Sequence, residues 1–315
     1  MSKACVFPGQ GSQAVGMGRD LAENFPEAKA VFEETNEALG QNLSQIMWDG
    51  PESELTLTEN AQPALMAVSI ATMRVIEAHG FKLADQVSYV AGHSLGEYSA
   101  LTASGALTLG DTAKLLKLRG QAMQRAVPVG VGAMAAIMGL DFEDCASLAA
   151  AASIGDDICQ AANDNAPGQV VISGSASAVA RAIEMAKEKG AKRAVELPVS
   201  APFHCALMAP AAEAMQAALA DTHIMAPCVP LVANVTAEPV TDPLHIRALL
   251  VEQVTGRVRW RESMMWMADA GVTDLIEVGA GKVLTGLAKR NDERLQAISL
   301  SSLEAVKSFV ETLKL

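Results

Sequence analysis

Aromatic residues are scarce: three Trp, two Tyr and seven Phe in 315 positions. A core of that size must be filled by small and flexible side chains, and Ala, Gly and Met are abundant. Positive charge is also short, with 24 Lys and Arg against 36 Asp and Glu and a formal charge of −12. That argues against nucleic acid as a partner, because phosphate contacts need a basic surface. It leaves an acidic protein partner open, since docking can use a local basic patch. No apolar run approaches the ~20 residues that span a bilayer, and no secretory h-region stands out, so no membrane partner is expected. The five cysteines, Cys5, Cys145, Cys159, Cys205 and Cys228, are odd in number and form no C-x-x-C pair or metal-ligand spacing. A reducing, cytoplasmic compartment is the expectation. Repeats and low-complexity tracts are absent as well.

Half of the residues are hydrophobic, enough for one large domain or one domain with an insertion. The first strand, "ACVF", runs into the glycine-rich "PGQGSQAVGMG". Helical patterns follow near residues 20–40 and 62–79, then a strand near 86–91 and helices over about 95–104 and 110–126. Alternating strands and helices predict a parallel sheet covered by helices. From residue 128 to 198 the rhythm changes to strand "AMAAIMGL", helix "DFEDCASLAAAA", strand "ICQAAN", turn "DNAPG", strand "QVVISG", helix "ASAVARAIEMAKEKG" and strand "AKRAVELPV". This β-α-β-β-α-β order is ferredoxin-like. The helix "APAAEAMQAALAD" and the strands "PLVANV", "TDLIEVG" and "AISL" then return to the main sheet. The expected architecture is an α/β body, residues 1–127 and 199–315, with a small subdomain inserted at 128–198.

"VAGHSLGEYSAL" places Ser94 between Gly92 and Gly96. G-x-S-x-G between a strand and a helix is the pattern of a nucleophile elbow, a tight turn that exposes a serine hydroxyl above the sheet. The amide of Leu95 and the helix N-terminus would favour a developing oxyanion. The alternative is a packing turn with no chemistry. Of five histidines, His79 suits a helix end, His93 should point away from the hydroxyl, and His223 and His245 lie in polar, proline-flanked stretches. His204, in "LPVSAPFHCALM", follows the small subdomain's last strand. It is either a base at the seam between the two parts or a helix cap. The loop "FPGQGSQAVGMG" lacks the Lys-Ser/Thr of a phosphate loop, so it reads better as a source of a second oxyanion donor, the Gln10 amide. Arg119 shares a helical stripe with Leu115, Ala122 and Ala126 and has no acidic neighbour three or four residues away. Either it snorkels at the core edge or it awaits an anion.

The segments "FPGQGSQ", "TENAQPALM", "AGHSLGEYSAL", "RGQAMQ", "PGQVVISG", "APFH" and "EVGAGKVLTGLAKR" run in order from Phe7 to Arg290. Together they resemble the malonyl-CoA:acyl carrier protein transacylases. The resemblance implies an α/β-hydrolase-like body with a ferredoxin-like insertion. It implies Ser94 as nucleophile, His204 as base, and the amides of Gln10 and Leu95 as oxyanion hole. Arg119 would bind the malonyl carboxylate, and Gln62, Met123 and Asn165 would line the pocket. The backbone carbonyl of Gln253, expected on a loop, would orient His204. Phe203, in "APFH", resembles the malonyl-selective version of that motif. Two departures lie near Gln253: Arg257-Val258-Arg259-Trp260 where the family usually has Pro-Val-x-Trp, and Ala280 where it usually has proline.

The implied reaction is ping-pong malonyl transfer from malonyl-CoA to the phosphopantetheine thiol of acyl carrier protein, supplying fatty acid biosynthesis. No metal or redox cofactor is implied, and a monomer is expected. A polyketide-pathway acyltransferase, a serine thioesterase or hydrolase, and a non-enzymatic carrier-docking module are the alternatives. Carrier docking is expected at Lys187, Lys189, Lys192 and Arg193, or at Lys289 and Arg290.

Overall fold

The structure is a computed structural model that describes residues 2–199 and 201–314. Its strands are β1 (Ser2–Phe7), β2 (Tyr89–Gly92), β3 (Gly132–Met138), β4 (Cys159–Ala166), β5 (Gln169–Ser175), β6 (Arg193–Glu196), β7 (Leu231–Val232), β8 (Pro239–Val240), β9 (Val272–Val278) and β10 (Gln296–Leu300). They form two sheets. The larger has the order β10-β9-β1-β2-β7-β8. Its pairs are parallel except the last, β7 with β8. In β1 the side chains alternate between two cores. Cys5 and Phe7 join the cluster that includes Ile276, while Ala4 and Val6 join the one that includes Leu275 and Trp260. Both faces are covered, which is why "ACVF" is apolar without alternation. The helix Thr58–Ala78 is buried along nearly its whole length and packs on the helix Leu109–Ala126.

The smaller sheet has the order β4-β5-β3-β6 and is antiparallel throughout. The helices Phe142–Ala152 and Ala176–Glu188 pack on it around Ile137, Cys145, Val170, Ile172, Val179 and Ile183. This is the ferredoxin-like strand order. Among the described residues, no helix is long and apolar enough to cross a membrane.

Several elements differ from the sequence expectation. The pattern near 20–40 divides into Arg19–Asn24 and Pro26–Leu39, because Phe25 is extended and Pro26 takes the first helical position. "AKRAVELPV" pairs only over Arg193–Glu196, as a mostly exposed edge strand. β4 runs on to Ala166, so the "DNAPG" turn shrinks to residues 167–168. Gln253 lies on a helix rather than a loop. Pro243–Thr255 is helical, and the Asp242 side chain caps it by accepting from the His245 amide. Asp followed by Pro at a helix start is the signal that would have found it.

The two parts are joined through Val258. Its amide donates to the Ala162 carbonyl at 2.9 Å, and its carbonyl accepts from the Asp164 amide at 2.9 Å. Beside it, Arg261 Nε donates to both oxygens of the fully buried Asp164 carboxylate at 3.1 and 3.0 Å. Removing Arg261 leaves that carboxylate without its charged partner, which costs on the order of 1–3 kcal/mol, less than for a fully buried pair because the Arg261 side chain is 27% exposed. Arg261→Ala is therefore expected to lower the urea midpoint with the m-value unchanged. An unchanged midpoint would show that the pair does not hold the parts together.

Candidate active site

The elbow has a steric cause. A Cβ on Gly92 would stand 1.9 Å from the Gly96 carbonyl carbon, and one on Gly96 would stand 2.3 Å from the Phe7 carbonyl oxygen. Only glycine lets the turn and the end of β1 pass so closely. Ser94 between them has φ of 52°, a left-handed backbone for a residue with a Cβ. Such a conformation costs of order 1–3 kcal/mol and persists only where the surroundings over-determine it. Here they do. The Asn234 side chain accepts from the Ser94 amide at 2.8 Å and donates to the Gly92 carbonyl at 2.7 Å. The Ser94 carbonyl accepts from Gln253 Nε2 at 2.9 Å and from the Glu97 amide at 3.0 Å. Gln10, Ser94 and Asn234 follow the adjacent strands β1, β2 and β7, at the carboxyl edge where parallel sheets bind ligands.

His204 also has a left-handed backbone, with φ of 57°, and is 4% exposed. Its Nε2 lies 2.8 Å from Ser94 Oγ. Its Nδ1 lies 2.9 Å from the Gln253 carbonyl oxygen and 3.1 Å from that of Gly256. Carbonyl oxygens only accept, so Nδ1 carries the ring proton and Nε2 is left to accept from the serine hydroxyl. Burial, reinforced by the charge of Arg119, pushes the imidazole down to about 3, so it is neutral at physiological pH. The pair has the geometry of a nucleophile and its general base.

Arg119 is 1% exposed. Its Nη1 donates to Gln62 Oε1 at 2.8 Å, and its Nη2 donates to Gln253 Oε1 at 2.8 Å and to Ser94 Oγ at 3.1 Å. Nε has no hydrogen-bond partner among the described residues, and the guanidinium lies 5.7 Å from the Tyr98 ring centroid. Among the described residues, none of its hydrogen bonds reaches a carboxylate. Gln62 also donates to Met123 Sδ at 3.7 Å, so Gln62, Met123 and Arg119 form one cluster around the serine. Phe203, next to His204, is buried in the same apolar core as Met123. The amides of Gln10 and Leu95 donate to no protein group among the described residues. Asn165 stands apart from this cluster: its Oδ1 accepts from His93 Nε2 at 2.8 Å, because it sits on β4 where the His93 ring takes its side chain.

Three features were not read from the sequence. They are Asn234, the side chain of Gln253, and Glu97, whose carboxyl accepts from Gln253 Nε2 at 2.7 Å. Burial pushes Glu97 up to about 7, against the pull of Gln253, the Asn234 amide and Arg119. An Asn or Gln carries no pattern of its own. Glu97, within a helix of otherwise buried residues, was the one available signal.

The depressed His204 value has a pH consequence. The unfolded chain takes up a proton below its ordinary 6.5 that the native state refuses until about 3. Stability from neutral His204 is complete above pH 6.5 and is lost as pH falls towards 3. Between pH 7.5 and 5, urea unfolding of the wild type should lose about 2 kcal/mol more than His204→Asn, from ~1.4 kcal/mol per unit over ~1.5 units. Parallel curves would mean that the folded imidazole takes up its proton at the same pH as in the unfolded chain.

The family model described as acyl transferase domain matches residues 4–302. The malonyl CoA-acyl carrier protein transacylase of Bacillus subtilis is 46% identical, over 100% of this chain and 98% of that protein. The crystal structure of an acyl-carrier-protein-S-malonyltransferase from Bartonella henselae is 54% identical, covers 100% of both chains and superposes with a TM-score of 0.97. A malonyl-transacylase solved in complex with its type II PKS acyl-carrier protein is 43% identical over 99% of this chain and 100% of that one, with a TM-score of 0.95. On a family match and identity of this extent, the chain belongs to the acyl transferase family, among the malonyl CoA-acyl carrier protein transacylases.

Proposed function

We propose that this protein transfers the malonyl group of malonyl-CoA to the phosphopantetheine thiol of an acyl carrier protein, by way of a malonyl ester on Ser94. His204 Nε2 takes the hydroxyl proton while Oγ attacks the thioester carbonyl. The oxyanion is held between the amides of Gln10 and Leu95, and the CoA sulfur leaves with the proton from His204. In the second half the same nitrogen takes the carrier thiol's proton. The sulfur attacks the ester, and Ser94 Oγ leaves and is reprotonated. The Gln253 carbonyl holds the ring in the tautomer both halves need. Residues 128–198 act as an inserted subdomain that forms one wall of the cleft.

The observation that carries this reading is Arg119. A buried guanidinium with no carboxylate among its hydrogen-bond partners lies 3.1 Å from the nucleophilic oxygen. A cation there suits an acyl group whose own carboxylate is one methylene from the reacting carbonyl. A thioesterase for apolar chains would gain nothing from it. The likeness to relatives that act on acyl carrier protein supports the same acceptor here, within fatty acid biosynthesis. The relative that pairs with a type II PKS carrier supports the second reading, a polyketide pathway served by the same chemistry.

Intact mass spectrometry after mixing with malonyl-CoA tests the reading. A malonyl adduct is expected on the wild type and none on Ser94→Ala, while holo-carrier should discharge it. A charge-assisted bidentate interaction worth ~1.5–3 kcal/mol implies that Arg119→Ala lowers the malonyl-to-acetyl ratio of kcat/KM by about 10- to 150-fold. An unchanged ratio would make Arg119 structural.

The basic patches differ in how free they are. Lys187 pairs with Glu184 and Lys189 with Asp144, whereas Lys192, Arg193, Lys289 and Arg290 are exposed and form no ion pair among the described residues. Reversing Lys192 and Arg193 to Glu, or Lys289 and Arg290 to Glu, is expected to raise the carrier KM without slowing acylation by malonyl-CoA. Added salt should weaken the wild type in the same way. If neither reversal nor salt moves that KM, carrier docking is not electrostatic at these sites.

A further inference from the structure

Glu97 is a fully buried carboxyl that the proposed reaction does not use, and its Oε1 has no hydrogen-bond partner among the described residues. Its Oε2 is engaged twice. It accepts from Gln253 Nε2 at 2.7 Å and from the Asn234 backbone amide at 3.3 Å. Those two residues are the ones that bracket the strained serine. Asn234 accepts from the Ser94 amide, and Gln253 Nε2 donates to the Ser94 carbonyl. Gln253 also contributes its backbone carbonyl to His204 and its side-chain Oε1 to Arg119. A single oxygen of Glu97 therefore touches both supports of the nucleophile. Through one of them it reaches the base and the anion-binding arginine.

The polarity of these contacts is what makes the arrangement specific. Arg119 has only N–H donors, so it requires the oxygen end of the Gln253 amide. The Ser94 carbonyl only accepts, so it requires the nitrogen end. Oε2 of Glu97 takes the remaining N–H of that nitrogen and closes the set. Without this acceptor, one amide hydrogen would be left unpaired in a dry site, a cost relieved by turning the side chain. A turned amide would aim N–H groups at the guanidinium and release it from its place beside Ser94 Oγ.

We propose that Glu97 is a positioning residue for acyl transfer: its Oε2 fixes Gln253 and Asn234, and thereby sets Ser94, His204 and Arg119 relative to one another. The inference rests on the malonyl-transfer reading. Either protonation state of the carboxyl presents Oε2 as an acceptor, so the role lies in the acceptor and not in the charge. Glutamine at position 97 keeps such an oxygen and alanine does not.

The test measures acylation of the whole enzyme by malonyl-CoA and by acetyl-CoA, with thermal unfolding in parallel. Wild type comes first, since failure of its malonyl adduct on Ser94 would overturn the transfer reading itself. Given that adduct, Glu97→Ala is expected to lower malonyl kcat/KM by at least about tenfold and to shift the malonyl-to-acetyl ratio towards acetyl by a similar factor. Glu97→Gln is expected to stay within about threefold of wild type in both. A purely structural role would lower the unfolding temperature and the amount of active enzyme but leave the ratio where it was. A wild-type ratio in Glu97→Ala overturns the proposal, as does a Glu97→Gln ratio that matches Glu97→Ala. Should Glu97→Ala not fold, Glu97→Asp, which withdraws the same oxygens by one methylene, must shift the ratio towards acetyl. An unshifted ratio there overturns the proposal equally.

Discussion

The serine at the end of β2 can adopt its left-handed backbone only because two glycine backbones touch where no Cβ fits, one against the other and one against the end of β1. That contact fixes where the hydroxyl points, and the rest of the site is arranged around it. Asn234 reaches it from the end of β7, Gln253 from the last turn of a helix, His204 from the loop after the smaller sheet, and Arg119 from a helix packed on the body. None of these is near Ser94 in sequence. The strain of one residue is met by the hydrogen bonds of several, so the elbow and its supports form one cooperative unit.

Burial sets the electrostatics. The imidazole is neutral because water is excluded and a cation is close, and this is the state a base needs. The same exclusion holds a guanidinium away from solvent with amides for partners instead of a carboxylate. Burying an arginine without an anion is costly, and a bound acyl carboxylate would offset that cost. Under the proposed malonyl transfer, selectivity for a carboxylated acyl group and the burial of Arg119 would have one physical origin.

The join between the two parts runs through residues 257–260. Val258 extends the β4 hydrogen bonding across the boundary, Trp260 packs on the His93 ring at 5.6 Å, and Arg257 and Arg259 both pair with Glu262. A proline at 257 would supply a rigid turn. Here ion pairs around Glu262 hold the same stretch, which places Gly256 where its carbonyl accepts from His204.

The sequence by itself determined the local features. "AGHSLGEYSAL" encodes the elbow, because steric demands at Gly92 and Gly96 are short-range. "ACVF" encodes a strand covered on both faces. The order of elements between 128 and 198 encodes a four-stranded antiparallel unit, and the apolar stripe around Arg119 marks an arginine out of place. Tertiary structure decided what depends on long-range approach. His204 lies 110 positions from Ser94, and nothing in its own neighbourhood shows that its Nε2 meets the serine hydroxyl while its Nδ1 meets the Gln253 carbonyl. Asn234 lies 140 positions away and Gln253 159. Their amides leave no periodic or compositional trace, since an amide acquires polarity and direction only from the groups that surround it in the fold.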